Sequence, residues 1–93
     1  MKNINIFGTE YTIEIVKISE CDLLRNNHWC GSCNNLTHEI LLGDTTEEEF
    51  FGKLSKEERK LQTKRTLRHE IMVDWFAVQA PKIFKVFKEV DCL

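Results

Sequence analysis

Two short stretches carry side chains able to do chemistry: TLRHEIMVDWF at positions 66–76 and HWCGSCNNLTH at positions 28–38. In the first, His69 and Glu70 stand side by side ahead of an apolar residue, as in the zinc-peptidase pattern H-E-x-x-H. On a helix, histidines at i and i+4 project from one face and can share a zinc ion. The glutamate beside the first histidine polarises the metal-bound water. Here the second histidine position is Val73, which binds no metal. Asp74 falls about 100° further round the helix. It would reach a metal held by His69 only if the helix were distorted. A His-Glu pair alone is a weak signal, and His38-Glu39-Ile40 repeats the same tripeptide. Without further context, a surface histidine on a charged helix is the plainer reading.

The second stretch places Cys30 and Cys33 at the two-residue spacing that lets two thiolates bind one metal, flanked by His28 and His38. Cys30, Cys33 and His38 match the first three ligands of a zinc knuckle. The fourth would fall at Gly43, which leaves His28 as the substitute ligand through a bent loop. Two readings stay open: a zinc site made by His28, Cys30, Cys33 and His38, or a loop with two reduced, partly buried cysteines. A thioredoxin-like redox pair would need a helix start after a strand in a βαβ unit, and that context is missing.

The elements that must position these residues fit one domain of 93 residues, 42% hydrophobic and 30% charged. A net charge of −2 argues against a nucleic-acid binder, whose affinity comes mostly from phosphate neutralisation. No apolar run approaches the roughly 20 residues of a membrane span, and the N-terminus shows no signal-peptide block. A cytoplasmic protein with reduced cysteines is expected, and Cys21 and Cys92 receive no role.

Ile4 and Ile6, then Tyr11, Ile13 and Ile15, alternate with polar residues and predict a β-hairpin turning at Gly8-Thr9. Residues 19–35 look polar and aperiodic, with Glu20 and Asp22 as turn or helix-start residues. LTHEILLGD predicts a third strand. Thr45 and Glu48 suggest a capped helical turn around EEEFF. Ser55 and Glu58 form a capping box ahead of a long helix. Its apolar stripe is Leu67, Ile71, Trp75 and Val78, widened by Met72 and Phe76. Lys56, Arg59, Lys60, Lys64, Arg65 and Arg68 make a solvated basic face. Pro81 marks a kink or break before a second stripe of Ile83, Phe84, Val86, Phe87 and Val90, opposite Lys82, Lys85 and Lys88. Trp29, Trp75, Phe76, Phe84 and Phe87 are expected in the core. The predicted class is α+β, a small antiparallel sheet with an N-terminal hairpin packed against C-terminal helices.

This order, with "TLRHEI" and "VDWFAVQAPKIFKVF" after the strand "HEILLGD", resembles the small ImmA/IrrE-like minimal zincins of phages and mobile elements. The resemblance covers nearly the whole chain and is most specific over residues 66–79. It implies a zincin-like domain in a bacterial host cytosol, with His69 as a family-type zinc ligand and Glu70 as the general base. The family would place a second histidine at position 73, a loop, and a third, commonly acidic, ligand near the next helix. Here Ile71 runs directly into Met72-Val73-Asp74-Trp75. Only His69 then survives of the ligand set, where catalytic zinc needs three protein ligands. The resemblance therefore implies a degenerate peptidase acting through binding to a protein partner, and an active zinc peptidase only if a segment after Ile71 were restored. Joining the two helices into one rod would leave faces unburied and favour a homodimer by helix exchange. Two further readings stand beside it. One is a zinc-stabilised interaction module on His28, Cys30, Cys33 and His38. The other is a metal-free protein whose basic face meets an acidic partner.

Overall fold

Period-two alternation builds the first half of the domain. In the computed structural model, which describes residues 2–6 and 8–92 and the side chains of these other than 73–89, β1 (Lys2–Ile6) and β2 (Thr9–Val16) form the expected hairpin. They pair from Lys2↔Ile13 to Ile6↔Thr9. Gly8 takes φ +90, a value easy only for glycine. Its N–H donates to Asn5 Oδ1 at 2.9 Å. A 3-10 turn (Ile18–Glu20) and the short helix α1 (Asp22–Asn27) follow, with Glu20 and Asp22 in the turn and helix-start positions expected of them. His28 ends α1 in the left-handed region (φ 57), while its own N–H and that of Trp29 bond back to Arg25 and Leu24 carbonyls. Then come β3 (Gly31–Asn34) and β4 (Glu39–Gly43). Asn34 Oδ1 accepts the Leu36 and Thr37 N–H groups in the turn between them.

The sheet order is β1-β2-β4-β3, and it is mixed, not wholly antiparallel as predicted. β2 and β4 run parallel, from Thr12↔Glu39 to Val16↔Gly43, while β3 and β4 are antiparallel. Parallel neighbours need a crossover connection, and the 3-10 turn, α1 and β3 supply it. The α+β class stands, with the hairpin and the C-terminal helix where the pattern put them.

One sheet face is buried. Ile4, Ile6, Tyr11, Ile13, Ile40 and Leu42 pack with Leu67, Ile71 and Val90 of α3 (Lys56–Cys92), and Cys33 lies against them. Each such side chain contributes about 1.5–3 kcal/mol on full burial. The other face carries Asn3, Asn5, Glu10, Glu14, Ser32 and Asn34, which pairing puts opposite the core side. The capping box is present: Glu58 N–H donates to Ser55 Oγ at 3.1 Å and Ser55 N–H to Glu58 Oε1 at 3.0 Å. The helical turn at EEEFF is α2 (Glu48–Phe51), but its N-cap residue is Glu47. Thr45 is buried instead, and the Glu47 carboxylate accepts the Ile18 N–H and the Ser19 hydroxyl.

The helix runs on past Ile71 to Cys92. It is nevertheless not a straight rod. A straight helix would separate Lys64 from Asp91 by about 40 Å (27 residues at about 1.5 Å each). Yet Lys64 Nζ donates to the Asp91 carbonyl at 2.7 Å and Arg68 pairs with the Asp91 carboxylate. Val90 is wholly buried beside Leu67 and Ile71. This seating supplies within one chain burial that helix exchange would otherwise supply between two. Leu67 and Ile71 occupy the predicted stripe, whereas Met72 is exposed. The expectations for Val73, Asp74, Trp75, Phe76, Val78, Pro81, Ile83, Phe84, Val86 and Phe87, and for Lys82, Lys85 and Lys88, lie outside the described side chains. Among the described residues, no helix is long and apolar enough to cross a membrane.

Candidate functional site: a cleft between an edge strand and the capped helix

Close approach of α3 to β3 starts at Gly31. A Cβ built there would stand 2.8 Å from Thr66 Cγ2, 3.0 Å from the Leu41 carbonyl oxygen and 3.4 Å from Glu70 Cγ. Only a glycine lets helix and strand meet at this distance. The contact aligns the helix face bearing Thr66, His69 and Glu70 with the strand edge bearing Cys30 and Cys33.

Between them lies a cleft of about 620 Å³, within the range of ligand sites in proteins. His28, Cys30 and Cys33 line one side of it, and His69 and Glu70 the other. The two stretches singled out by their chemistry thus share one cavity, although they are far apart in the chain. His69 is exposed and Glu70 half-buried. Arg65, from the basic face, points into the same cleft with Gln62 and Thr66. That face is therefore not uniformly solvated: Lys60 and Lys64 border a second cleft, Arg59 donates to the Leu54 carbonyl at 3.1 Å, and Arg68 holds Asp91.

His38 is elsewhere. It takes φ 58 in the turn before β4, its ring 5.1 Å from that of Tyr11 and tilted by 49°. The Tyr11 hydroxyl donates to Asn35 Oδ1 at 3.0 Å, and the Cys33 thiol points to the same oxygen at 3.9 Å. Trp29 was expected in the core, yet it is 48% exposed and forms part of the cleft wall. It lies in the connection between α1 and β3, outside the sheet's buried face.

Cys30 sits at a bend just before β3, its carbonyl accepting the Gly43 N–H at 2.7 Å, while Cys33 lies within the strand and packs against the core. All four cysteines are free thiols, and among the described residues no three His, Cys, Asp or Glu side chains are grouped closely enough to hold a metal ion. With Val73 at the second-histidine position, the zinc of the resembled family does not fit the residues described.

The carboxyls whose titration is visibly altered lie outside this cleft. Asp44 is held below its ordinary range by the Thr46 N–H and hydroxyl, and Glu58 by the Ser55 cap. Arg65, Trp29 and Gly31 belong to the cleft without having been marked by motif. Gly31 carried the one available signal, a glycine inside a strand, which often marks close backbone approach. No family model, characterised protein or solved structure matches this chain.

Proposed function

We propose that this chain is a zincin-shaped binding protein, of the phage or mobile-element kind it resembles, whose peptidase ligand set is incomplete. In this reading it holds an extended segment of a protein partner in the cleft between β3 and α3. The observation that carries the reading is the pairing of an edge strand with a cleft. β3 is the terminal strand of the sheet, and the cavity beside it is walled by Trp29, Arg65, His69 and Glu70. An edge strand offers backbone donors and acceptors to an added strand, and the neighbouring pockets read its side chains. Trp29 gives a large apolar surface, while Arg65 and Glu70 give charges of both signs for register. His69 and Glu70 act here as hydrogen-bonding and charged groups of the wall, with no hydrolytic step assigned to them.

A displayed random-peptide library tests this, panned on the full chain with and without added zinc. Peptides selected without zinc should bind at least about tenfold more weakly to Trp29→Ala and Arg65→Ala, and should remain uncut after prolonged incubation. Zinc-dependent cleavage abolished by Glu70→Gln would replace the reading with an active peptidase. One zinc per chain by native mass spectrometry, lost in Cys30→Ser and Cys33→Ser but kept in His69→Ala, would replace it with a zinc-stabilised module.

A further inference from the structure

A second cavity, of about 630 Å³, lies on the opposite flank of α3. Its floor is Ile13, Ile15, Leu42 and Leu67, and its helix rim is Lys60 and Lys64. Ile15 is the anomaly. It follows Ile13 on the core face of β2 and pairs with Leu42, which are 6% and 1% exposed, yet it is itself 52% exposed. The core face of the sheet is thus left uncovered at one end. Isolated surface leucines and isoleucines need no explanation, but an apolar floor continuous with the core and sunk between two elements marks a site for apolar material.

The rim says what kind of material. Lys60 and Lys64 are one helical turn apart, so their ammonium groups border the same side. Lys64 donates to a neutral group, the Asp91 carbonyl, so its charge is not balanced by that bond. Among the described residues, the ion pairs Arg25–Asp22 and Arg68–Asp91 involve neither lysine. Two carboxylates also border the cavity. Glu14 reaches it from the outer face of β2. Asp44 accepts the Thr46 N–H at 2.9 Å and the Thr46 hydroxyl at 2.7 Å and lies in the positive field of Lys17 and Arg59. Asp44 is therefore already matched, and the positive charge left over sits with Lys60 and Lys64.

We propose that this cavity binds a small amphipathic carboxylate. The apolar body lies over Ile13, Ile15, Leu42 and Leu67, and the carboxylate sits between the ammonium groups of Lys60 and Lys64. Ammonium–carboxylate hydrogen bonds are among the stronger ones available at a surface, and the lysine stems extend the apolar wall up to the charged rim. The site is separate from the peptide cleft and does not rest on it.

Octanoate is the probe, titrated calorimetrically into the full chain beside 1-octanol and inorganic phosphate. The expected result is saturable one-to-one binding of octanoate, at least about tenfold weaker binding of octanol, and no saturable binding of phosphate. Lys60→Gln with Lys64→Gln should bring octanoate down to the level of octanol, and Ile15→Ser should weaken both. All three positions are away from the packed core, so circular dichroism should report unchanged folding. Arg65→Gln, on the other flank, should leave octanoate binding as it is. The proposal is overturned if octanol binds as well as octanoate, if no probe saturates, or if Arg65→Gln weakens octanoate as much as the double lysine variant does.

Discussion

Replacing Gly31 with alanine adds one methyl group at the point where β3 and α3 touch, and its cost follows from two distances. Carbon–carbon contacts are comfortable at about 3.5–4.0 Å. The new Cβ would meet Thr66 Cγ2 at 2.8 Å and the Leu41 carbonyl oxygen at 3.0 Å. Neither neighbour retreats easily. Thr66 is β-branched and its hydroxyl donates to the Gln62 carbonyl at 3.1 Å, which fixes its rotamer. Leu41 is backbone within the β3–β4 ladder. Relief must come from moving the helix away from the strand, at about 1–3 kcal/mol for overpacking. The unfolded chain loses some freedom with alanine, which offsets about 0.4–1 kcal/mol. The net cost is therefore about 1–2 kcal/mol, or a fall in Tm of roughly 4–16 °C for a domain of this size. Urea unfolding followed by tryptophan fluorescence measures it. Thr66→Ser removes the closest obstacle, so the double variant should recover part of the loss and show a coupling of at least about 0.5 kcal/mol. A Gly31→Ala protein as stable as the parent, or strict additivity of the two substitutions, would refute the account of how the cleft is held.

Other consequences can be checked with the same protein. Ser55→Ala should cost about 1 kcal/mol, the usual worth of an N-cap, with thermal melting as readout. Because the Asp44 and Glu58 carboxyls are held below their ordinary values of 3.8 and 4.5, their stabilisation is present above those values and lost as pH falls through the lowered ones. Urea midpoints taken at about pH 6 and about pH 3 should therefore differ less in Asp44→Asn and Glu58→Gln than in the parent. Val90→Ala should destabilise by about 1–2 kcal/mol through lost apolar burial. Asp91→Ala removes only a half-exposed ion pair and should cost under about 1 kcal/mol. Light scattering should give a monomer, since the end of α3 is seated on its own chain. A dimer that dissociates on loss of residues 73–93 would restore the exchange of helices.

What could be read from sequence here was local. The alternation through Ile4, Ile6, Tyr11 and Ile13 and the Ser55–Glu58 box each state their structure within a few residues, and both are present. β3 could not be read that way. Gly-Ser-Cys-Asn has no apolar alternation, and it is a strand because β4 pairs with it and α3 presses on Gly31. The direction of β4 was hidden for a related reason, since it depends on where the crossover leads rather than on β4 itself. The candidate site was half legible. His69, Glu70, Cys30 and Cys33 stood out by type, but their convergence on one cleft depends on a helix-to-strand contact that no local pattern encodes.

The parallel join of β2 to β4 has a kinetic meaning. β1–β2 and β3–β4 are each antiparallel pairs closed by short turns, and each can form from contacts close in the chain. Their union sets Thr12 beside Glu39, a separation of 27 residues, whose closure costs about 3 kcal/mol in chain entropy before any contact repays it. The two hairpins should therefore form early, and the β2–β4 seam should be the slow, late step that commits the chain to its fold. In the native protein the same seam joins the two inner strands and carries the buried Tyr11, Ile13, Ile40 and Leu42, so the outer strands β1 and β3 should open before it.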